Sequence, residues 1–403
     1  LQELGVDPGP VILEPEVKNT APAILAATFY AMQNDPEAIL LVLPSDHVIA
    51  DVNSFHEAIS LGLFEADVGN VVTFGVKPTR AETGYGYLEL SDSSDGSMVN
   101  VNRFIEKPDL KMAEKFVTSG NYLWNSGIFL FRASVMVDAF IKNAPNLISA
   151  VQNSIDNGKT DLGFFRLDPI CWANCENISI DYAVMEKFDK LVAVPFRTHW
   201  SDLGDWSSVW AENMKDEKGN VNLGNSVSID SNETFLRAES DNIQLVGLGL
   251  KDIIVIAMSD AVLVADKTRV QDVKQVVSEL KNREISQAEF FPKFHRPWGW
   301  FEILSRKGRS QVKRIMVKPG GTLSLQSHKH RSEHWVVVEG TVKVIVGTEE
   351  KFLSEGESVY VPVGVVHRME NSGPCPMLLI EVQIGSYLEE DDIIRYDDIY
   401  SRD

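Results

Sequence analysis

A chain of 403 residues is longer than one ordinary hydrophobic core serves and predicts two or three domains. With 44% hydrophobic and 24% charged residues, its composition is that of a soluble globular protein. The formal net charge of −20 argues against nucleic acid and anionic membrane as bulk partners; a small anionic substrate stays open where local cations or metal ions override the field.

Cys171, Cys175 and Cys375 are too few and too scattered for a disulfide framework, and no second pair or nearby histidine completes a metal site around Cys171 and Cys175. Free thiols of a cytoplasmic protein are expected. No apolar run approaches ~18 residues, so no membrane span is predicted, and no signal peptide is visible. LQELG at 1–5 reads as a helix end with a glycine stop, which predicts a chain that begins inside a domain.

In chain order, VIL at 11–13 reads as a strand and TAPAILAATFYAMQ at 20–33 as a helix, with Thr20 as N-cap and Pro22 in the first turn. AILLVLP at 38–44 is a strand apolar on both faces. FHEAISLGLFEA at 55–66 is a helix and VVTFGV at 71–76 the next strand. Strand, helix, strand with continuous apolar strands predicts an α/β domain whose sheet is mostly parallel and covered on both sides. Ligands of such sheets bind beyond the carboxyl ends of the strands, where PSDH at 44–47 falls. A polar stretch at 212–222 marks a boundary. Short alternating segments from 223 to 266 and a helix at about 269–283 then predict a small β linker domain. From 290 onward, short strands punctuated by Gly and Pro predict an all-β barrel. The expected domains are 1–220, 221–285 and 286–403.

Gly356, Pro362, Gly364, His367 and Asn371 fit the second cupin motif, G-x5-P-x-G-x2-H-x3-N, at every fixed position. The Pro362–Gly364 turn aims His367 into the barrel. The first cupin motif, G-x5-H-x-H-x4-E-x6-G, has two registers here. Reading His328 and His330 as its histidine pair leaves too few residues before Glu333. Counting from Gly320 puts Gln326 and His328 in the two slots and satisfies the spacing to Glu333 and Gly340. Residues 326 and 328 share one strand face, so both can point inward. Gln326, His328, Glu333 and His367 are the expected ligands of Zn²⁺ or another divalent metal, with a position open for substrate; a site using His330, or a metal-free barrel with these histidines paired in a polar core, is the alternative.

SLQSHKHRSEHWVVVEG (324–340), RPWGW (296–300) and KRIMVKPG (313–320) resemble the type II mannose-6-phosphate isomerases. Those are usually fused behind a mannose-1-phosphate guanylyltransferase, and the upstream half is similar to that enzyme. The motifs are EPEVKNTAPA (14–23), LPSDH (43–47), ETGYGYLE (82–89), FIEKP (104–108), WNSGIFLF (124–131), SIDYAVMEK (179–187) and WSDLGDW (200–206). The resemblance covers essentially the whole chain. It implies GDP-mannose synthesis, with GTP, mannose 1-phosphate and mannose 6-phosphate or fructose 6-phosphate as small-molecule partners, no nucleic acid and no membrane. The oligomeric state stays open, a homo-oligomer included.

Asp46 at a strand end and Asp202 in a Gly-flanked turn suit Mg²⁺ bridging phosphate oxygens, although either could instead cap a helix or fix a turn. By resemblance, Glu106 and Asn125 look like sugar-hydroxyl ligands, Lys107 a phosphate contact, and Asn19 and Thr20 nucleotide contacts. Asp181 caps or orients. Trp124, Phe129, Phe131, Trp298 and Trp335 are expected in cores. The family's Gly-rich loop, G-G-x-G-[ST]-R-L-W-P-L-S-R, does not occur in these 403 residues. An N-terminally truncated transferase domain, with weak or no guanylyltransferase activity in this polypeptide though its parent protein should have it, is therefore the expectation.

The isomerase half implies proton movement between C1 and C2 of the sugar. His330, His334 and Glu370 are candidate bases close to the metal strands. Lys313, Arg314, Lys329 and Arg331 are candidate phosphate contacts, each with solvated surface charge as the alternative. Two other readings stand beside this one: an active isomerase alone, or a cupin that binds a sugar phosphate without turning it over.

Overall fold

The computed structural model describes residues 9–91, 98–161, 164–196 and 198–397. The helix end expected at 1–5 lies outside these residues. Two compact units emerge, Leu1–Glu212 and Asn213–Asp403.

In the first unit, helix α1 spans Thr20–Met32, with its N-cap one residue earlier than predicted. The N-cap is Asn19, whose side chain accepts the Thr20 N–H at 2.8 Å, because Thr20 already has helical geometry. Helix α2 is Val52–Asp67, capped by Asp51. The strands used below are β1 (Ile39–Val42), β2 (Val48–Ile49), β3 (Val71–Val76), β4 (Tyr87–Leu90), β5 (Val99–Ile105), β6 (Tyr122–Arg132), β7 (Leu191–Phe196) and β8 (Trp200–Ser201). The main sheet has the order β1-β6-β3-β7-β5-β4, with a further β6–β4 pairing.

The expected mostly parallel sheet needs correction. Only β3–β7 pairs in parallel, because β6 enters between β1 and β3 and runs antiparallel to both. Continuous apolar sequence reports burial on two faces and carries no information on strand direction. β1, β3 and β7 still point the same way, so their carboxyl ends share one edge of the sheet. Period-two alternation along β6 builds a core on each face. Phe129 and Phe131 face a cluster with Ile24, Leu25 and Phe140, while Ile128 and Leu130 face one with Phe74, Val194 and Trp200. Each fully buried large apolar side chain contributes roughly 1.5–3 kcal/mol.

In the second unit, Val221–Leu223, Phe235–Ala238 and Ile253–Ala257 stack in parallel, and Ser226–Ile229 pairs in parallel with Leu245–Leu248. Each short strand returns beside the strand two places before it, the geometry of a β-helix. A helix at Val273–Asn282 follows. The barrel strands are β9 (Lys293–Arg296), β10 (Gly299–Lys307), β11 (Ser310–Val317), β12 (Leu325–His328), β13 (Arg331–Glu339), β14 (Thr341–Val346), β15 (Glu349–Ser354), β16 (Ser358–Val361), β17 (His367–Glu370), β18 (Met377–Gly385) and β19 (Ile393–Asp397). They form one sheet of order β9-β10-β11-β18-β13-β16 and another of order β15-β14-β17-β12-β19.

Register makes the barrel interior a stack of layers. Ile315, Leu379 and Val337 lie in one row across β11, β18 and β13. Lys313, Glu381 and Trp335 form the next row, and Gln311, Gln383 and Glu333 the one beyond. All these residues are buried. One end of the barrel is thus an apolar core and the other a charged interior. Among the described residues, no helix is long and apolar enough to cross a membrane.

The β9–β10 hairpin turns through Pro297 and Trp298, and Arg296 pairs with Gly299. Gly299 has φ 152°, and a Cβ there would stand 2.0 Å from the Met316 carbonyl oxygen. No L side chain fits that approach. Gly299→Ala is expected to destabilise the protein by more than about 1 kcal/mol, read as a lower calorimetric midpoint; an unchanged midpoint would contradict the close packing.

Candidate active sites

The polar end of the barrel gathers His328 from β12, Glu333 from β13 and His367 from β17. All three are buried, with ligand atoms within 4.8 Å of one another. His328 Nε2 lies 3.0 Å from Glu333 Oε1, and His367 Nε2 lies 3.7 Å from Oε2. His367 Nδ1 lies 2.9 Å from the Val365 carbonyl, so Nδ1 carries the proton and Nε2 offers its lone pair to the cluster. Neither nitrogen of His328, nor Nε2 of His367, makes a hydrogen bond. Orphaned buried imidazole nitrogens around a carboxylate are the pattern a divalent ion satisfies. Gln326 sits opposite His367 in the β12–β17 register. It lines a cavity that Glu333 also lines, and its Oε1 accepts the Ser324 hydroxyl at 2.8 Å. The residues present fit a divalent metal.

Glu333 is the centre of a buried network. Gln383 Nε2 donates to its Oε1 at 3.0 Å and Trp335 Nε1 to its Oε2 at 3.1 Å. Arg331 Nε approaches Oε1 at 3.3 Å. Burial opposes ionisation of Glu333, but His328, His367 and Arg331 outweigh it and hold the carboxyl below the usual range. His367 is shifted down, by burial first, which favours the neutral form a ligand needs.

Glu381 and Gln383 were not foreseen. The same Trp335 N–H that reaches Glu333 also donates to Glu381 Oε1 at 3.1 Å, and Gln383 Nε2 donates to Glu381 Oε2 at 2.8 Å. Burial, then the neighbouring Glu333 charge, raises the Glu381 pKa. Polar residues at alternate positions of the apolar strand MLLIEVQIG were the available signal. The cavity these groups line, about 60 Å³, has room for an ion and a few waters.

The other barrel candidates separate by strand face. His334 is exposed on the outer face of β13, near Ser358 at 3.4 Å. Glu370 lies on the side of β17 opposite His367 and Met369. Both therefore drop out as bases, because side chains alternate along a strand and each stands an odd number of positions from an inward ligand. His330 lies past the end of β12, half exposed, with Nδ1 2.7 Å from buried Asp392. It is outside the metal cluster. Lys313 and Arg331 do face the cavity. Lys313 pairs with Glu390 at 2.9 Å, and Arg331 also donates to the Glu389 carbonyl at 2.9 Å. Arg314 points outward toward Glu302 at 3.7 Å and drops out as a phosphate contact, again by alternation. The side chain of Lys329 is exposed. Trp298 and Trp335 are core residues as expected, and both border the cavity network.

In the first unit, a cleft of about 310 Å³ opens at the carboxyl end of β1. Thr20, His47, Tyr85, Glu106, Asn125, Asp181 and Asp202 line it. Antiparallel pairing of β2 with β8 matches Val48 to Ser201 and so brings the Asp46–His47 turn alongside Asp202. His47 is shifted down by burial, partly offset by the charges of Asp46 and Asp202. Asp46 is exposed. Asp202 Oδ1 accepts the Tyr85 hydroxyl at 2.7 Å and the Gly204 N–H at 3.0 Å. Lys107, held at φ 47°, places Nζ 2.8 Å from Glu106 Oε1. Thr20 Oγ1 accepts the Ile180 N–H at 2.9 Å, joining α1 to the Asp181 turn. Trp124, Phe129 and Phe131 are buried as expected.

Asn125 is the hub of this cleft. Its Oδ1 accepts the Thr73 hydroxyl at 2.8 Å, and its Nδ2 lies 3.3 Å from Asp181 Oδ1. Burial, then the Glu106 charge, pushes the Asp181 carboxyl up to about 6. A folded-state pKa above the ordinary 3.8 means that the folded protein binds the proton more tightly than the unfolded chain. Ionised Asp181 therefore destabilises above about pH 6, and the penalty vanishes as pH falls below about 4. Asp181→Asn is expected to stabilise the protein by about 1–3 kcal/mol at pH 8 and hardly at all at pH 4. Equal midpoint changes at both pH values in thermal melts would contradict the buried charge.

Known families match each segment of the chain. The family described as Nucleotidyl transferase matches residues 2–219, the MannoseP isomerase/GMP-like beta-helix domain 224–280, and Mannose-6-phosphate isomerase C-terminal 282–398. The xanthan biosynthesis protein XanB of Xanthomonas campestris is 46% identical over 402 residues, covering 100% of this chain and 85% of that protein. The mannose-1-phosphate guanylyltransferase of Escherichia coli is 43% identical over 398 residues, covering 97% of this chain and 83% of that protein. A crystal structure titled mannose-1-phosphate geranyltransferase from Thermus thermophilus superposes with a TM-score of 0.59 at 32% identity, covering 67% of this chain and 77% of that one. The chain belongs to the family of mannose-1-phosphate guanylyltransferases that carry a mannose-6-phosphate isomerase C-terminal domain.

Proposed function

We propose that this chain serves GDP-mannose synthesis through two chemistries, guanylyl transfer in residues 1–220 and sugar-phosphate isomerisation in the barrel at 286–403, with 221–285 as the linker. The observation that carries the reading is the buried His328–Glu333–His367 cluster with unpartnered imidazole nitrogens and Gln326 beside it. In the first unit, the phosphate oxygen of mannose 1-phosphate attacks the α-phosphate of GTP and pyrophosphate leaves. Asp46 and Asp202 hold Mg²⁺, Glu106 and Asn125 take sugar hydroxyls, Lys107 meets phosphate, and Asn19 and Thr20 meet the nucleotide. Little covalent work falls to the protein, so positioning and charge neutralisation dominate. The water-soluble substrates suit a cytoplasmic enzyme.

In the barrel, Gln326, His328, Glu333 and His367 hold Zn²⁺ or another divalent ion. When bound, that ion supplies Lewis-acid polarisation of the sugar oxygen. The chain's own residues move the proton: a carboxylate takes it from C2 of open-chain mannose 6-phosphate and returns it to C1, while the C2 hydroxyl proton passes to the C1 oxygen, giving fructose 6-phosphate. We assign that step to Glu381 by position, since it is the carboxyl inside the cavity that is not in the ligand set and is anchored by Trp335 and Gln383. Glu390 spends its charge on Lys313, and His330 stands outside the cavity lining. Arg331 and Lys313 offset the acidic charge of the interior.

Coupled assays of fructose 6-phosphate formation from mannose 6-phosphate, and of GDP-mannose formation from GTP and mannose 1-phosphate, test the reading. Absence of both products from metal-supplemented protein would sink it. Glu381→Gln is expected to lower isomerase kcat by about 10²–10⁴-fold while leaving bound metal unchanged, and His330→Asn by less than about tenfold. A Glu381→Gln variant with near-normal kcat would return the proton to another group.

A further inference from the structure

Four cations border the barrel cavity, and two of them are already neutralised. Lys313 is paired with Glu390, and Arg331 is engaged by Glu333 and the Glu389 carbonyl. Arg296 and Arg395 also line the cavity. Among the described residues, neither makes an ion pair. In a chain of net charge −20, with Glu333, Glu381 and Glu390 lining the same cavity, two arginines with no carboxylate in ion-pair contact call for an explanation; Arg296 feels the Glu390 charge only from beyond contact distance.

Their placement supplies one. Arg395 on β19 is the register partner of Gln326 on β12, so the two share a face of the sheet and Arg395 stands beside the metal cluster. It is exposed, which puts its guanidinium at the mouth and not in the interior. Arg296 ends β9, the strand that opens the Gly299 hairpin. Its guanidinium lies 5.2 Å from the Phe301 ring centroid and 5.7 Å from that of Phe294. Its one hydrogen bond goes to the His295 carbonyl at 3.2 Å. Stacking on two aromatic rings orients the planar fork without consuming its charge.

We infer that Arg296 and Arg395 form the phosphate subsite of the barrel, a two-arginine clamp at the mouth for the phosphomonoester dianion of a hexose 6-phosphate. Two unpaired guanidiniums match the charge of the dianion, and their planar donors match its oxygens. The interior cations are left to balance the buried carboxylates. A cavity of about 60 Å³ leaves the phosphate outside, with the sugar carbons turned toward the metal cluster. This assignment rests on the isomerase reading for the sugar, but its recognition of phosphate stands on the arginines alone.

Titration calorimetry on the metal-loaded full chain tests it with three probes: mannose 6-phosphate, inorganic phosphate and mannose. Arg296→Met and Arg395→Gln are each expected to weaken mannose 6-phosphate and inorganic phosphate binding about tenfold or more. Mannose binding, metal content and melting temperature stay as in the parent. Lys351→Met, an exposed charge on β15, serves as control and leaves all three probes unaffected. Arg395→Gln keeps the test decisive if Arg296→Met disturbs its aromatic stack. Variants that bind both phosphates as the parent does overturn the clamp, as does a loss of mannose binding equal to that of mannose 6-phosphate. Arginine-dependent phosphate binding by a parent protein that turns over no hexose 6-phosphate upholds the clamp and defeats the isomerase reading.

Discussion

A buried carboxylate, Glu333, stands at the centre of the barrel, and the polar half of that barrel is built around it. Isolated charge in a protein interior costs several kcal/mol even after relaxation, so Glu333 must be surrounded by compensation. The register of β11, β18 and β13 supplies it, setting Gln311, Gln383 and Glu333 in one row and Lys313, Glu381 and Trp335 in the next. Gln383 and Trp335 donate to its two oxygens, Arg331 adds a full charge, and His328 and His367 face it with lone pairs that nothing in the protein satisfies. A cation completes that arrangement as no apolar side chain could. The layer below, Ile315, Leu379 and Val337, provides the dry packing that keeps these groups fixed.

The first unit uses the same economy differently. Its cleft lies where β1 ends, and its polar groups are chained from Thr73 through Asn125 to Asp181. Burying Asp181 beside Glu106 raises its pKa and costs stability at neutral pH. Such a residue is retained where a site needs it, not where a fold does. Backbone strain gathers here as well: Asn19 at φ 68°, Lys107 at φ 47° and Leu203 at φ 49° flank the cleft motifs.

Much of this was legible in the sequence. VVTFGV at 71–76 and VIL at 11–13 form strands with those bounds, because β-branched and apolar runs ended by polar turns leave little choice. Counting from Gly320 brings Gln326, and not His330, into the cavity with Glu333. Strand direction in the main sheet was not legible, since β6 pairs with strands far from it in sequence. His334 and Glu370 were separable in principle: once Glu333 and His367 point inward, odd offsets along a strand point outward. Glu381 and Gln383 needed the β13–β18 register, a long-range pairing that no local pattern encodes. Arg296 and Arg395 needed the knowledge of which cations find carboxylates.

On the reading proposed above, the barrel's ligand cluster is an isomerase centre that works only with its cation. Proton NMR of mannose 6-phosphate in D₂O with the full chain tests it most directly. Deuterium should enter the sugar as fructose 6-phosphate forms, stop when a chelator strips the metal, and resume when a divalent ion is restored. Interconversion that persists in metal-free protein, or that never starts in the metal-loaded chain, would contradict the account.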